Sequence, residues 1–155
     1  MQLYLLRHAN ADTIAARDDD RPLSEKGLAQ AEKVARFCQE QGLEASFILS
    51  SPILRADQTA RALAKRLRSK LVIVPWLACG MRPEEALKEL LAYAHESAVF
   101  IVGHEPDFSE LVAYLLGLAD SNAIHIRKGS LILIELEDFC AGAGCLKFSL
   151  PCQLI

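Results

Sequence analysis

Long apolar runs are absent from the sequence, and their absence excludes a membrane-spanning helix. Such a helix needs about 18 to 20 consecutive apolar residues, whereas the longest runs here, such as residues 98–102 and 131–134, are far shorter. The N-terminus also lacks a basic lead followed by a signal-length apolar segment, so we expect a cytoplasmic protein. Lys and Arg are spread along a chain of formal net charge −3, without the basic stripe that nucleic-acid binding requires.

Paired cysteines are also lacking. An odd number of cysteines, with no CxxC pair and no zinc-finger spacing to histidine, argues against a structural disulfide or a zinc site; they are Cys38, Cys79, Cys140, Cys145 and Cys152. We expect free and mostly buried thiols, with Cys79 and Cys152 packed in the interior. The chain shows no cluster of carboxylates that would hold a metal, so we expect no metal and no cofactor.

The composition and the apolar pattern predict one α/β domain over residues 1–155. The chain is 52% hydrophobic, too apolar for disorder, and shows no internal repeat. Short strand-like runs alternate with longer helical patterns, as in α/β layering. Strands are predicted at residues 2–6, 47–49, 71–74 and 98–102, with an antiparallel pair at 131–136 and 146–150, and helices at 24–41, 53–68, 83–94 and 107–116.

The first helix should begin at the cap Ser24 and stop at Gly42. Its buried face is predicted to start at Leu28 and to continue through Ala31, Val34, Ala35 and Cys38. In the third helix, which opens with Pro83, the buried stripe is predicted to consist of Leu87, Leu90, Leu91 and Ala94.

Cationic and imidazole side chains follow three of the predicted strands. Arg7 and His8 come at the end of the first, Arg55 lies in the first turn of the helix after the second, and His104 follows the strand at 98–102. Singly, each has an ordinary explanation as a surface, capping or solvated residue. Because the carboxyl ends of strands line the ligand crevice of open α/β sheets, we expect these four to converge there. Two arginines, two imidazoles and helix N-termini suit a dianion such as phosphate.

The segments that carry these residues resemble three motifs of the histidine phosphatase superfamily, also called the phosphoglycerate mutase-like fold. They are LLRHA at 5–9, SPILRADQTA at 51–60 and VGHEP at 102–106. The short chain, RPLS at 21–24 with Gly27, and the ending Pro151-Cys152 are similar to the small SixA-type branch, the phosphohistidine phosphatases of phosphorelay proteins. The resemblance implies a three-layer α/β/α sandwich with a mostly parallel central sheet and an antiparallel C-terminal edge.

The resemblance also implies a metal-independent phosphatase in which His8 attacks phosphorus and is transiently phosphorylated. Arg7, Arg55 and His104 would hold the phosphate oxygens and stabilise the transition state. For this reaction His8 must be neutral, which is feasible near pH 7 because free imidazole titrates at about 6.5. The cationic pocket further disfavours protonation of His8.

Four other residues are expected to contact substrate or phosphate, each with a structural alternative. Arg21 ends a charged loop at 18–21 and would reach the rim of the pocket, unless the loop is merely solvated. Asn10 could instead cap the loop, and Ser51 could instead cap a helix. For Glu105 the alternative is a charge at a helix N-terminus.

Two departures from the family pattern bear on the substrate. Ala9 replaces the usual Gly, which would cost about 1 kcal/mol or more if that backbone needs a positive φ. Larger members that cleave phosphate esters carry an acidic residue after the third strand, but residues 76–82 contain no Asp or Glu. An alkoxide leaves poorly without a proton, whereas imidazole is a good leaving group. Glu84, Glu85 and Glu105 remain as candidate acids.

Phosphohistidine of a histidine-containing phosphotransfer protein is therefore the preferred substrate, and we expect a monomer. The first alternative is a small-molecule phosphomonoesterase of the same superfamily. The second is a non-catalytic phosphate-binding module, although binding alone does not require a nucleophile such as His8. The short chain favours phosphohistidine as the substrate, because we expect it to leave no room for the lid and the acid-bearing insertion of longer relatives.

Overall fold

The computed structural model describes residues 1–155 and contains one six-stranded sheet between two layers of helices. The strands are β1 (Gln2–Arg7), β2 (Phe47–Ser50), β3 (Lys70–Ile73), β4 (Ala98–Gly103), β5 (Leu131–Leu136) and β6 (Gly144–Leu150). The helices are α1 (Glu25–Glu40), α2 (Leu54–Leu67), α3 (Pro83–Leu90) and α4 (Asp107–Leu116). Every predicted element is present, and the bounds differ by a residue or two except at the end of α3.

The order of the strands is β3-β2-β4-β1-β5-β6. The first four in this order pair in parallel, whereas β5 and β6 pair antiparallel. This confirms the predicted three-layer sandwich with an antiparallel C-terminal edge. The register sets Arg7 opposite Gly103 and Ser50 opposite Val102, so β1, β2 and β4 end at the same level.

Alternating side chains of the central strands fill two separate cores. In β1, Leu3 and Leu5 point to a cluster of 18 buried residues shared with α3 and α4. Tyr4 and Leu6 point the other way, to a cluster of 15 shared with α1 and α2. This period of two, with both faces apolar, is what a sheet covered by helices on both sides requires.

The ends of α1 follow the prediction, but its buried face does not begin at Leu28. The hydroxyl of Ser24 accepts from the backbone N–H of Gly27, and Gly42 has a φ of +65°. Leu28 is 54% exposed, and Gly27 takes its place on the buried face. A Cβ at Gly27 would lie 1.8 Å from the carbonyl oxygen of Asn10, so only glycine lets the helix approach this backbone so closely.

Two further predictions about burial are wrong. Leu91 and Ala94 are exposed because α3 ends at Leu90 and continues only as the 3₁₀ turn Leu91–Tyr93. The thiols are all free but not mostly buried, since only two of the five are. The exposed ones lie in the loop after β3 or along the edge strand β6 and its turn; they are Cys79, Cys140 and Cys145. Among the helices, none has the length and apolar character needed to cross a membrane.

Candidate active site

The carboxyl ends of the parallel strands bring together the four residues that the sequence singled out. Arg7 ends β1 and His8 follows it, Arg55 lies in the first turn of α2 after β2, and His104 follows β4. His8, Arg55 and His104 are only 6%, 6% and 2% exposed. Burying several polar groups costs free energy unless they are satisfied, so such a cluster indicates a binding or catalytic site.

The hydrogen bond of His8 fixes which of its ring nitrogens is free. Nδ1 lies 2.8 Å from the carbonyl oxygen of Ala9. Because a carbonyl oxygen can only accept, Nδ1 carries the proton and Nε2 keeps its lone pair. Burial, aided by the charges of His104, Arg55 and Arg7, lowers the pKa of His8 to about 3, against a weaker opposing effect of the Ala9 carbonyl. At neutral pH, His8 is therefore an uncharged base.

Ala9 occupies the position of the family glycine without left-handed strain. The only residue other than glycine with a positive φ is Arg68. The backbone N–H of Ala9 donates to the hydroxyl of Thr59 at 3.1 Å, and this hydroxyl donates to the carbonyl oxygen of Arg55 at 2.7 Å. The loop that carries His8 is thereby tied to the helix that carries Arg55, and Thr59 is a supporting residue that the sequence did not reveal.

His104 is held through the other ring nitrogen, Nε2. Its Nε2 lies 2.8 Å from Oγ of Ser51, and that oxygen already accepts from the backbone N–H of Ile53. The other ring nitrogen, Nδ1, is a buried atom with no partner in the protein. Burial and the charges of Arg55 and Arg7 lower the pKa of His104 to about 4. His104 is therefore neutral near pH 7, and the Ser51 hydroxyl both caps the turn and orients the ring.

Arg7 and Glu105 are neighbours beside the two imidazoles. Nη1 of Arg7 donates to the carbonyl oxygen of Ile126 at 2.6 Å, while its buried Nε has no partner. Oε2 of Glu105 accepts from the hydroxyl of Ser109 at 2.7 Å, and burial raises the pKa of the carboxyl despite the opposing charge of Arg7.

The other two candidate acids, Glu84 and Glu85, are exposed in the first turn of α3. The structure thus gives neither of them a contact with the four central residues. Of the three carboxylates that the sequence left as candidate acids, Glu105 alone interacts with one of those residues, Arg7.

Arg55 and Arg21 share one carboxylate, that of Asp18. Arg55 donates through Nη1 to the backbone oxygen of Asp18 at 2.8 Å and through Nη2 to its Oδ2 at 3.0 Å. Arg21 donates to Oδ1 of Asp18 at 2.7 Å and to the backbone oxygen of Asp12. Asp18 thus links Arg21 to the buried Arg55, and the structure adds Asp18, which the sequence placed only in a charged loop.

Lys128 is a further cation that no sequence motif revealed. The backbone N–H of Gly129 bonds the carbonyl oxygens of Arg7 and His8, both at 3.2 Å, so the turn that carries Lys128 lies against the end of β1. Burial lowers the pKa of Lys128, as do the charges of Arg7, Arg21 and Arg55. The pocket is thus surrounded by four cationic side chains.

Asn10 is turned towards the start of α1. Its side-chain oxygen accepts from the hydroxyl of Ser24 at 2.9 Å, and its backbone N–H donates to the side chain of Gln30 at 2.9 Å. Its carbonyl oxygen also accepts from the backbone N–H of Ser24. These bonds favour the alternative in which Asn10 anchors the loop.

The largest cavity, of about 530 Å³, is an open cleft beside these residues. Its lining includes three carboxylates, Asp19, Asp20 and Asp57, and a single cation, Arg17. This charge repels phosphate, so the cationic cluster around His8 is the better anion site. No group of three or more His, Cys, Asp or Glu side chains is arranged to hold a metal ion.

Comparisons with known proteins agree with this geometry. The family model of the histidine phosphatase superfamily (branch 1) matches residues 3–78, which include Arg7, His8 and Arg55. An uncharacterized protein of Picosynechococcus sp. is 34% identical over 85% of this chain and 83% of its own length. Phosphohistidine phosphatase SixA of Escherichia coli K12 is 32% identical over 74% of each chain. The structure of the protein histidine phosphatase SixA complexed with tungstate superposes with a TM-score of 0.89 at 25% identity, covering 99% of this chain and 98% of the other.

Proposed function

The chain belongs to the histidine phosphatase superfamily, and from this premise we propose that it removes phosphate from phosphohistidine of a phosphotransfer protein through an intermediate on His8. The observation that carries the proposal is the state of His8. Its Nδ1 proton is held by the Ala9 carbonyl, its Nε2 is free, and its low pKa keeps the ring neutral. A neutral imidazole with a free nitrogen among cations is a nucleophile for an anionic phosphoryl group.

In the first step, Nε2 of His8 attacks phosphorus, and the bond between phosphorus and the substrate nitrogen breaks with its electron pair going to that nitrogen. The phosphorylated ring of His8 keeps its Nδ1 proton and becomes cationic, a form that the Ala9 carbonyl stabilises. In the second step, water attacks phosphorus and His8 leaves as neutral imidazole. The same hydrogen bond therefore serves both steps, because no proton has to reach His8 before it leaves.

Unpartnered donors around His8 supply the electrostatic part of the catalysis. Nε of Arg7 is buried without an acceptor, and Arg55 has further N–H groups beyond its two bonds to Asp18. Phosphoryl transfer depends mainly on positioning and on stabilising charge at the equatorial oxygens. Donors that are already in place require no reorganisation when this charge develops.

The choice of phosphohistidine over a phosphate ester rests on the leaving group. Residues 76–82 contain no Asp or Glu, and Glu84 and Glu85 are exposed on α3. These segments thus give an alkoxide no carboxylic acid, and the remaining candidate, Glu105, is hydrogen-bonded to Ser109, whereas an imidazole leaves without an acid. The relationship to phosphohistidine phosphatase SixA supports the same choice.

The proposal is tested by measuring phosphate release from a phosphotransfer domain phosphorylated on histidine and from a panel of phosphate monoesters. We expect release from the domain to be faster by orders of magnitude, and acid-labile phosphate to be trapped on His8 by rapid quenching. His8→Asn should abolish both signals, while His95→Asn, at an exposed histidine on the surface, should change neither. Faster turnover of monoesters would overturn the substrate choice. Tight phosphate binding with no phosphorylated His8 would indicate a non-catalytic module.

A further inference from the structure

An exposed carboxylate, that of Asp18, lies at the mouth of the cationic pocket. The two carboxylate oxygens of Asp18 accept hydrogen bonds from Arg21 at the rim and from the buried Arg55. We propose that Asp18 accepts a hydrogen bond from the distal ring nitrogen of the departing imidazole and thereby selects phosphohistidine as substrate. This inference rests on the function proposed above and assigns to Asp18 a part in that reaction.

The position of Asp18 fits contact with a leaving group. Its side chain is 63% exposed, whereas that of Arg55, to which it is bonded, is 8% exposed. The carboxylate thus extends from the phosphate site into solvent. Each of its oxygens is engaged by one arginine and keeps a further lone pair for another donor.

The direction of attack places the leaving group on the side of the pocket where Asp18 lies. His8 is only 6% exposed, whereas the side chain of Asp18 is 63% exposed. An in-line displacement puts the departing nitrogen on the far side of phosphorus from the attacking Nε2. The departing ring therefore lies towards the mouth of the pocket, where the carboxylate of Asp18 meets solvent.

The chemistry of phosphohistidine favours a negative charge next to the departing ring. The departing nitrogen accepts the electron pair of the broken bond, and the product is neutral imidazole only if the distal nitrogen already carries a proton. Before the bond breaks, the substrate ring is then cationic, and Arg7, Arg55 and Lys128 disfavour a cationic ring. An ionised Asp18 offsets this repulsion and holds the distal proton throughout, so no proton is transferred.

Asp18 is suited to remain ionised and does not act as a general acid that protonates the leaving group. Hydrogen bonds and charge from Arg21 and Arg55 lower the pKa of its carboxyl. An alkoxide has no ring proton for Asp18 to accept, and the ionised carboxylate also repels the phosphate dianion. The same residue thus favours phosphohistidine and disfavours phosphate monoesters.

The test compares wild type with Asp18→Asn in the full chain. Asparagine keeps the size of the side chain and the backbone contact to Nη1 of Arg55. Two quantities are measured: kcat/KM for a phosphotransfer domain phosphorylated on histidine, and the inhibition constant of inorganic phosphate. We expect kcat/KM to fall by about tenfold or more, the scale of a lost hydrogen bond to a charged group, and the inhibition constant to stay constant or decrease.

The matched control is Asp20→Asn, which removes the same charge two residues further along the same turn. Asp20 is exposed and its ion pair is with Arg17, at 3.8 Å, so we expect both quantities to remain at their wild-type values.

Three outcomes would overturn the role of Asp18. If kcat/KM falls and the inhibition constant rises by a similar factor, Asp18 only positions Arg55 for phosphate. If kcat/KM rises while phosphate binds more tightly, Asp18 only competes with phosphate for the arginines. An unchanged kcat/KM shows that the carboxylate is not used. Failure of the proposed function is distinguishable from all three, because the wild-type protein itself would then release no phosphate from the domain.

Discussion

The two buried imidazoles should lower the free energy of unfolding of the protein in mild acid. The pKa values of His8 and His104 are about 3 and about 4 in the folded protein, against about 6.5 for the unfolded chain. Between these values the unfolded chain binds protons that the folded protein does not, so stability increases with pH in this range. The stability that depends on the two neutral imidazoles is therefore fully present above about pH 6.5. It is lost progressively as the pH falls towards their pKa values in the folded protein.

The size of the effect follows from the width of this pH range. At pH 5 the unfolded imidazole is about 1.5 pH units below its pKa, which favours unfolding by about 2 kcal/mol at 1.36 kcal/mol per unit. Both folded imidazoles are still mostly neutral at this pH. Together they should lower the free energy of unfolding by about 4 kcal/mol between pH 8 and pH 5. This is a large part of the 5 to 15 kcal/mol, roughly, of a typical domain.

Urea unfolding at pH 8 and pH 5, in buffers without phosphate, measures this difference. In His8→Asn the loss of stability should be smaller than in wild type by about 2 kcal/mol, because only His104 remains. The carboxylates titrate in both proteins and cancel in the comparison. His95→Asn, at a mostly exposed imidazole, should behave as wild type. An equal pH dependence in wild type and His8→Asn would show that His8 is not held neutral by the fold.

Three further predictions concern single residues. Arg55→Ala should lower kcat by about 100-fold or more, the typical cost of losing a transition-state donor, with little change in the midpoint of urea unfolding; normal turnover would refute its role. Lys128→Gln should raise KM by about threefold to tenfold with kcat unchanged, since its charge attracts the anionic substrate. Lys147→Gln should not, because Lys147 pairs with Glu135, which lies opposite Gln2 at the other end of β1 from Arg7. Gly27→Ala should lower the free energy of unfolding by about 1 to 3 kcal/mol through overpacking against Asn10; unchanged thermal unfolding would contradict this.

The elements and the central site residues were predictable because they depend on local pattern and on one rule of topology. Apolar runs bounded by Ser24, Gly42 or Pro83 define where helices begin and end, and the structure agrees with them. Residues that follow parallel strands must meet at one edge of the sheet. Arg7, His8 and His104 obey this rule without any knowledge of loop conformation.

Asp18 and Lys128 were not predictable because they lie on irregular connections. Their position depends on hydrogen bonds between distant parts of the chain, such as those from Gly129 to the end of β1. The exposure of Leu28 has a similar cause. Periodicity predicts that α1 has a buried face, but the contact between Gly27 and the Asn10 carbonyl decides how the helix is rotated.

The roles of the two histidines also depend on neighbours that the sequence does not show. His8 donates from Nδ1 to a carbonyl oxygen and therefore keeps a lone pair on Nε2. His104 faces the Ser51 hydroxyl with Nε2, and its Nδ1 has no partner in the protein. Both rings are neutral near pH 7 because both are buried among arginines. Identical side chains thus leave different ring nitrogens without a partner because one faces a carbonyl group through Nδ1 and the other a hydroxyl group through Nε2.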